Sequence, residues 1–464
     1  MAQGGSKPFV NDTVSFLFER QAAGLSLAAA GLAIRTSNAF RYPTVYGFDS
    51  PENWRYIERL TGSWALPAPD ADWSTAHPPL FYYACAALCR ALGLPEQEDA
   101  VILIRLISSI LGLFAVGLAV GLVRRADPDN PGRALLAGAL LLFLPAHIYM
   151  SAMLHEEILV SSLISLVAVA VAYECMRPER PRRALGRAAG WGAAAGLALL
   201  TKLTGLLVVL AAAGAYAVDG WRRRDWALAA GRAGIFLGVA LLVGGWYYAR
   251  NRVEYGYFYP HHLESHRNIY FYPPGVRSLG DYLRFPFATF TEPVATSPAL
   301  MRSVWGTTYS SVWYDSHRHF LPSQGGAVNL AGTLILVLAL LPTAAFLRGL
   351  ARGLRRALES PRGPDLPLLL LVALTLAGYA VFTWRNPWFV VAKGSFLLGL
   401  AVPFAFYASE TLCRWARGSR ARARVIWICM SILFLAVAAT FTQGVVFEKT
   451  DSPGFRFLAP VDDG

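Results

Sequence analysis

Apolar stretches near twenty residues long recur from one end of this 464-residue chain to the other, separated by short polar runs. Such a stretch, wound as a helix, covers a bilayer core of about 30 Å. Helix is the expected form, because an isolated span must satisfy its own backbone hydrogen bonds. The pattern predicts eleven spans, at roughly 16–36, 101–123, 133–150, 156–176, 187–203, 204–218, 226–249, 327–348, 367–383, 393–412 and 424–442. The segment 78–95 is apolar but short, and Arg90 interrupts it. It reads as a helix lying at or dipping into the membrane surface.

Arginine placement tests that reading. Counting 78–95 as a span would invert everything after it. With eleven spans and the N-terminus inside, the five short inner loops and their flanks hold 22 of the 42 basic residues. Examples are Arg180, Arg182, Arg183 and Arg187, then Arg348, Arg352, Arg355, Arg356 and Arg362. That is the asymmetry of the positive-inside rule. The outer side then carries two large loops, 37–100 and 250–326, and a short tail, 443–464. All eight histidines fall on or near it. The chain is expected to be one transmembrane domain, 1–442, followed by that tail.

Composition adds little to this picture. The chain is 55% hydrophobic and 16% charged, where soluble domains carry about 25% charged residues. A net charge of +12 would suit nucleic acid, but the basic residues sit in short loops between spans, so no nucleic-acid partner is expected. Cys85, Cys89, Cys175, Cys413 and Cys429 lie in or beside apolar segments with no metal-ligand spacing. The first apolar stretch lacks a cleavage pattern and reads as a retained anchor. There is no P-loop and no glycine-rich turn set between strand and helix.

Four outer constellations carry candidate chemistry. The stretch Phe48-Asp49-Ser50-Pro51-Glu52-Asn53-Trp54-Arg55-Tyr56 holds two carboxylates at a helix start. Asp49 or Ser50 as a cap, with Pro51 in the first turn, is the ordinary explanation. Proton abstraction from an acceptor hydroxyl is the functional one. His77-Pro78-Pro79-Leu80-Phe81-Tyr82-Tyr83 suits a membrane-interface anchor, which leaves His77 unexplained. The turn His155-Glu156-Glu157 puts ionisable groups at a span end. Such groups mark functional cavities, or else reach water where the helix dipole favours them; Glu157 is expected to be solvated. Lys202, Arg250 and Lys393 are outer cations at headgroup depth, suited to a phosphate or to snorkelling. His261, His262 and His266 are spaced loosely like metal ligands.

At these residues the chain resembles GT-C glycosyltransferases that use lipid-linked sugars, in particular protein O-mannosyltransferases and the aminoarabinose transferases of lipid A. The resemblance runs over about 14–412 and includes Asp49 to Ile57, His77 to Tyr83, Glu156, Thr201-Lys202-Leu203-Thr204-Gly205, Trp246 to Gly256 with Arg250-Asn251, and Lys393-Gly394-Ser395-Phe396. It departs where the family has adjacent Asp and Glu followed by His. Here Asp49 and Glu52 are separated and Trp54 stands near the His position, so the base is open between the two carboxylates.

The resemblance implies a GT-C-like, all-α polytopic fold and a polyprenyl-phosphate or dolichyl-phosphate sugar donor. The acceptor would be a lipid, glycan or protein hydroxyl, attacked with inversion on the extracytoplasmic face. The setting would be a bacterial plasma membrane, with the site towards the periplasm or exterior. Asp49 or Glu52 would be the base, with Lys202, Arg250 and Lys393 on the donor phosphate. Glu156, His155, His77 and Tyr82 would meet sugar or acceptor. No cofactor is implied with certainty; a divalent metal is left open, with Asp49, Glu156, His261 and His262 as candidate ligands. A transporter or polymerase of lipid-linked glycans is the alternative, although its charges would sit deeper within the spans.

Overall fold

The computed structural model describes residues 9–94, 96–176, 181–260, 263–321, 326–360 and 362–445, with side chains described from 22 onward except 181–182 and 326–328. Every regular element among these residues is helical. The long first helix α1 (Phe9–Arg41) leads into the short helices α2 (Ser50–Ser63) and α3 (Leu80–Leu92). The chain then runs through α4 (Gln97–Ala126), α5 (Pro131–Leu142), α6 (Pro145–Ser151), α7 (Glu157–Cys175), α8 (Pro181–Thr201), α9 (Gly205–Arg223), α10 (Trp226–Ala240) and α11 (Trp246–Tyr255). Four short helices follow in the second large loop: α12 (Leu279–Leu283), α13 (Ala288–Thr291), α14 (Pro298–Met301) and α15 (Val304–Trp313). The chain returns to long helices with α16 (Gly326–Glu359), α17 (Asp365–Arg385), α18 (Ala401–Arg417) and α19 (Arg420–Thr440).

Each of the eleven expected spans falls on a helix, but the spans are not equivalent. Among the described residues, eight helical segments are long and apolar enough to cross a membrane singly, and a bent pair makes a ninth. That pair is α5 and α6, which meet at 54°. Pro145 causes the break, since proline cannot donate into the preceding turn and its ring clashes there. The predicted spans 16–36 and 187–203 correspond to α1 and α8, which are not among those eight. Helix α8 compensates through packing. A Cβ at Gly192 would lie 2.5 Å from the Phe236 carbonyl oxygen, and one at Gly196 would lie 2.7 Å from that of Ala240. Glycine therefore lets the backbones of α8 and α10 approach closely, a common device where lipid supplies no hydrophobic drive. The predicted surface helix at 78–95 is α3, thirteen residues and about 20 Å long, too short to cross. It packs on α2 through Phe81, Tyr82, Cys85 and Cys89 against Tyr56, Ile57 and Leu60.

The bundle has two chemically distinct ends, about 26 Å apart along α7. At one end Glu174 accepts from Arg187 at 2.9 Å, Arg232 at 2.7 Å and Tyr216 at 2.9 Å, tying α7 to α8, α9 and α10. At the same end Arg222 of α9 donates to the Ala357 carbonyl of α16. Nearby, Arg356 bridges Asp365 of α17 and Glu410 of α18. These are the basic loops assigned to the inner face. Asp127, Arg133, Arg356, Asp365, Glu410 and Arg414 line a cleft of about 740 Å³ there, but most of these charges pair with one another. The other end of α7 opens with Glu156 and Glu157.

Candidate active site

Four separated stretches of chain meet at that second end. Helix α2 supplies the first. Asn53, Tyr56, Ile57 and Leu60 recur at helical spacing and are buried, so the apolar stripe docks the helix. Pro51 opens it. Just before it, Gly47 has φ 131° and a Cβ there would strike Ser50 Oγ at 2.4 Å, so only glycine fits the turn. Asp49 itself is held at φ 51°, the left-handed region. Its side chain makes no capping hydrogen bond to α2; Oδ1 instead accepts from Trp73 Nε1 at 3.1 Å. The ordinary capping explanation for Asp49 therefore does not describe its side chain. A strained, uncapped carboxylate is the pattern found at functional positions.

The turn before α7 supplies the second stretch. Both glutamates are buried, Glu157 as well as Glu156, contrary to the expectation that Glu157 reaches water. The reason is Lys202, the third contribution, from the turn between α8 and α9. Its Nζ donates to Glu156 Oε1 at 2.8 Å and to Glu157 Oε1 at 2.5 Å. Lys202 is thus spent on two carboxylates. Its ammonium also lies 5.2 Å from the Phe396 ring centre.

Lys393, which opens the 3-10 stretch Gly394–Leu400 that leads into α18, is the fourth. Gly394 sets it in place, since a Cβ there would lie 2.6 Å from the Val312 backbone nitrogen. The Gly394 amide also donates to Ser311 Oγ at 3.0 Å. The Lys393 ammonium lies 4.3 Å from the Phe48 ring centre and 5.8 Å from that of Phe396. Among the described residues no carboxylate oxygen lies within 4 Å of it.

The site is layered. Asp49, His77 and Lys393 are partly accessible, whereas His155, Glu156, Glu157 and Lys202 are buried behind them. His77 Nδ1 is 3.8 Å from Glu156 Oε1 and His155 Nδ1 is 3.2 Å from Glu156 Oε2. His155 Nδ1 also accepts the Glu157 amide at 3.2 Å, so the tautomer decides which contact is a hydrogen bond. Tyr82 donates to Asn53 Oδ1 at 2.9 Å and lies 3.4 Å from Glu156 Oε2.

Electrostatics separates the two candidate bases. Burial raises the Asp49 carboxyl, but the Lys393 ammonium, with His155 and His77, outweighs it and holds the group below the ordinary aspartate range. Glu52 is shifted up, chiefly by burial and in part by the neighbouring Asp49. Its side chain is partly exposed and pairs with Arg55 at 3.6 Å. Burial pushes His77 down, and takes His155 to about 4.

Arg250 stands apart from this cluster. It donates to Glu254 at 2.8 Å and to Tyr255 at 3.0 Å, both on its own helix. The stretch Trp246 to Gly256 reaches the site through Tyr247, which donates to the Ala76 and His77 carbonyls. His261 and His262 lie outside the described residues. Among the described residues, no group of three His, Cys, Asp or Glu side chains could hold a metal. Asp49 and Glu156, the other candidate ligands, face Trp73 and Lys202 respectively.

Three residues at the site escape sequence reasoning. Asn53 accepts from Ser74 Oγ and Tyr82 Oη and donates to the Leu154 carbonyl, joining three stretches. Trp73 meets Asp49 on one side and, through its carbonyl, His266 Nε2 at 2.8 Å on the other. Phe48 carries Lys393 on its ring. Only Asn53 left a signal, as one of the apolar-face positions of α2 occupied by an amide.

A family model for dolichyl-phosphate-mannose-protein mannosyltransferase matches residues 95–250, about a third of the chain. No curated protein matches the sequence. Among solved structures, ArnT from Cupriavidus metallidurans bound to undecaprenyl phosphate is similar at TM-score 0.53 and 15% identity, over 88% of this chain and 63% of that one. The oligosaccharyltransferase of Archaeoglobus fulgidus in the apo form is similar at TM-score 0.53 and 15% identity, over 92% and 56%. The same enzyme, AglB, in complex with an inhibitory peptide and a dolichol-phosphate gives TM-score 0.52 and 14% identity, over 93% and 56%. This chain therefore spans under two thirds of the length of each of these three solved chains. The shared architecture is the GT-C fold, as the sequence motifs implied.

Proposed function

We propose that this protein is an integral membrane glycosyltransferase that moves a sugar from a polyprenyl-phosphate-type donor to an acceptor hydroxyl. One observation carries the reading. Asp49 and Lys393, the latter with no carboxylate oxygen within 4 Å among the described residues, stand partly open to the surroundings at one end of a GT-C bundle, above a buried layer of Glu156, Glu157, Lys202 and His155.

Asp49 is the general base. It stays ionised at neutral pH, and Trp73 holds one of its oxygens, leaving the other to take the acceptor proton. The acceptor oxygen attacks the anomeric carbon as the bond from that carbon to the phosphate oxygen breaks. The electron pair leaves with the lipid phosphate, and the anomeric configuration inverts. Charge grows on the phosphate, and Lys393 is the cation placed to meet it, without an ion pair to break first. Lys202 acts at one remove, neutralising Glu156 and Glu157 so that both can stay buried. Glu156, His77, His155 and Tyr82 shape the sugar or acceptor side. Glu52, paired with Arg55, is left to the rim.

The family match over 95–250 and the ligands named with the similar structures support the choice of donor class. The sidedness of the arginine loops supports a site facing away from the cytoplasm. The test is transfer by the purified, detergent-solubilised protein from a panel of radiolabelled polyprenyl-phosphate sugars to a membrane-lipid and glycan extract. Transfer that disappears in Asp49→Asn is the expected result. No transfer from any donor by a folded wild-type protein would overturn the reading.

A further inference from the structure

The second large loop does not stay beyond the ends of the long helices. Its segment 279–291 runs down between the ends of two spans. Tyr282 Oη donates to the Ala380 carbonyl at 3.1 Å and contacts Thr383 Oγ1 at 2.8 Å. Ala380 lies about 7 Å inside the end of α17. On the other flank Thr333 Oγ1 of α16 donates to the Phe290 carbonyl at 2.6 Å. Thr333 lies about 10 Å inside the start of α16. Both contacts fall within the end turns of helices apolar enough to span a bilayer, the first turns of α16 and the last of α17.

What this segment shows outward is apolar. Leu279, Leu283 and Phe287 are 75%, 85% and 77% exposed, and Phe285 is exposed beside them. They continue the exposed apolar faces of α16, with Leu330 and Leu334, and of α17, with Val381 and Trp384. The segment's single carboxylate, Asp281, is buried, accepting from the Ser278 amide at 3.1 Å. Its one exposed charge is Arg284. Water would make this face costly, at about 25 cal/mol for each Å² of exposed apolar surface. Hydrocarbon makes it favourable, with the arginine reaching up to headgroups.

We propose that residues 279–291 form a re-entrant wedge inserted in the hydrocarbon of the leaflet on the site's side, with lipid acyl chains packed on Leu279, Leu283, Phe285 and Phe287. The wedge also bears on the site. The chain just before it pairs with the chain leading to Lys393: the Phe389 amide donates to the Pro273 carbonyl at 2.9 Å, and the Tyr272 and Phe389 rings stack at 5.6 Å. Lipid contact at the wedge thereby sets the depth at which Lys393 is held. The insertion itself does not depend on the proposed chemistry.

The test uses the full-length protein in nanodiscs of phosphatidylethanolamine and phosphatidylglycerol carrying a diazirine on one acyl chain. After photolysis, adducts are mapped by peptide mass spectrometry. Adducts on 279–287 as abundant as those on the lipid-facing Val425 and Leu435 of α19, and absent from the exposed Phe258 beyond the end of α11, are expected. Adducts on α19 with none on 279–287 would overturn the wedge, and would point to a protein surface covering it. Loss of the 279–287 adducts on adding unlabelled polyprenyl phosphate would also overturn it, by making the occupant a bound donor chain and not bulk lipid.

Discussion

The Lys393 ammonium rests 4.3 Å from the centre of the Phe48 ring, one residue before Asp49. A cation over an aromatic face is attracted by the negative face of the ring, which positions it without a carboxylate contact. The arrangement brings this lysine and the proposed base together from positions more than 340 residues apart.

Asp49→Asn removes the proton acceptor but keeps the shape and the contact from Trp73. Turnover is expected to fall by about 10²- to 10⁴-fold, the usual contribution of a general base. The midpoint of thermal unfolding should move little. Retention of full turnover would remove Asp49 as base, and Glu52→Gln measured beside it would show whether that role had moved there.

Lys393 and Lys202 should respond differently to alanine. Lys393→Ala is expected to weaken use of the lipid-phosphate donor while leaving the fold intact, because no ion pair is broken. Lys202→Ala strands two buried carboxylates and should destabilise the protein by about 3–5 kcal/mol. Adding Glu156→Gln and Glu157→Gln to Lys202→Ala should restore part of that stability. Thermal unfolding of all three proteins, with donor KM for the folded ones, checks the assignment; equal stability of Lys202→Ala and wild type would refute it.

Asn53→Ala leaves the Leu154 carbonyl and the Ser74 and Tyr82 hydroxyls without their shared partner. Unsatisfied buried groups cost about 1–3 kcal/mol each. Lower stability is expected together with reduced turnover, since Tyr82 and the turn before Glu156 lose their common anchor. An Asn53→Ala protein as stable as wild type would mean that water or a repacked side chain replaces the amide.

Acid should destabilise the protein before it affects the base. His155 is held at about 4 and His77 below its ordinary value, chiefly by burial. Between 6.5 and 4 the unfolded chain therefore binds more protons at His155 than the folded one does. Stability is fully present above 6.5 and is lost as pH falls towards 4. His155→Gln should flatten this slope. Asp49, held below the ordinary aspartate range, should keep the base ionised throughout that window, so initial rates of still-folded enzyme should show no acid limb from it there. A slope unchanged in His155→Gln would assign the effect elsewhere.

Segment type and order were legible in the sequence because lipid imposes a strict rule. Any chain crossing hydrocarbon must be apolar for about twenty residues and must close its own backbone hydrogen bonds. That alone placed the eleven helices, including α8, whose glycines made it a weak span by composition. That Asp49, His77, Glu156 and Lys202 share one end of the bundle, opposite the arginine loops, followed from the same periodicity.

Partner choice at the site was settled only by tertiary structure. Nothing local says that Lys202 turns to Glu156 and Glu157, since these groups lie 46 and 45 residues away along the chain. Glu157 at a span end looked solvated, and only the arrival of that ammonium makes its burial tolerable. Likewise the apolar residues of 279–287 are too few to read as a span. Their depth is decided by hydroxyl contacts to α16 and α17, helices 40 to 100 residues further on. Hydropathy along a chain reports what each stretch demands of its surroundings; which distant group meets a buried charge depends on how the helices pack.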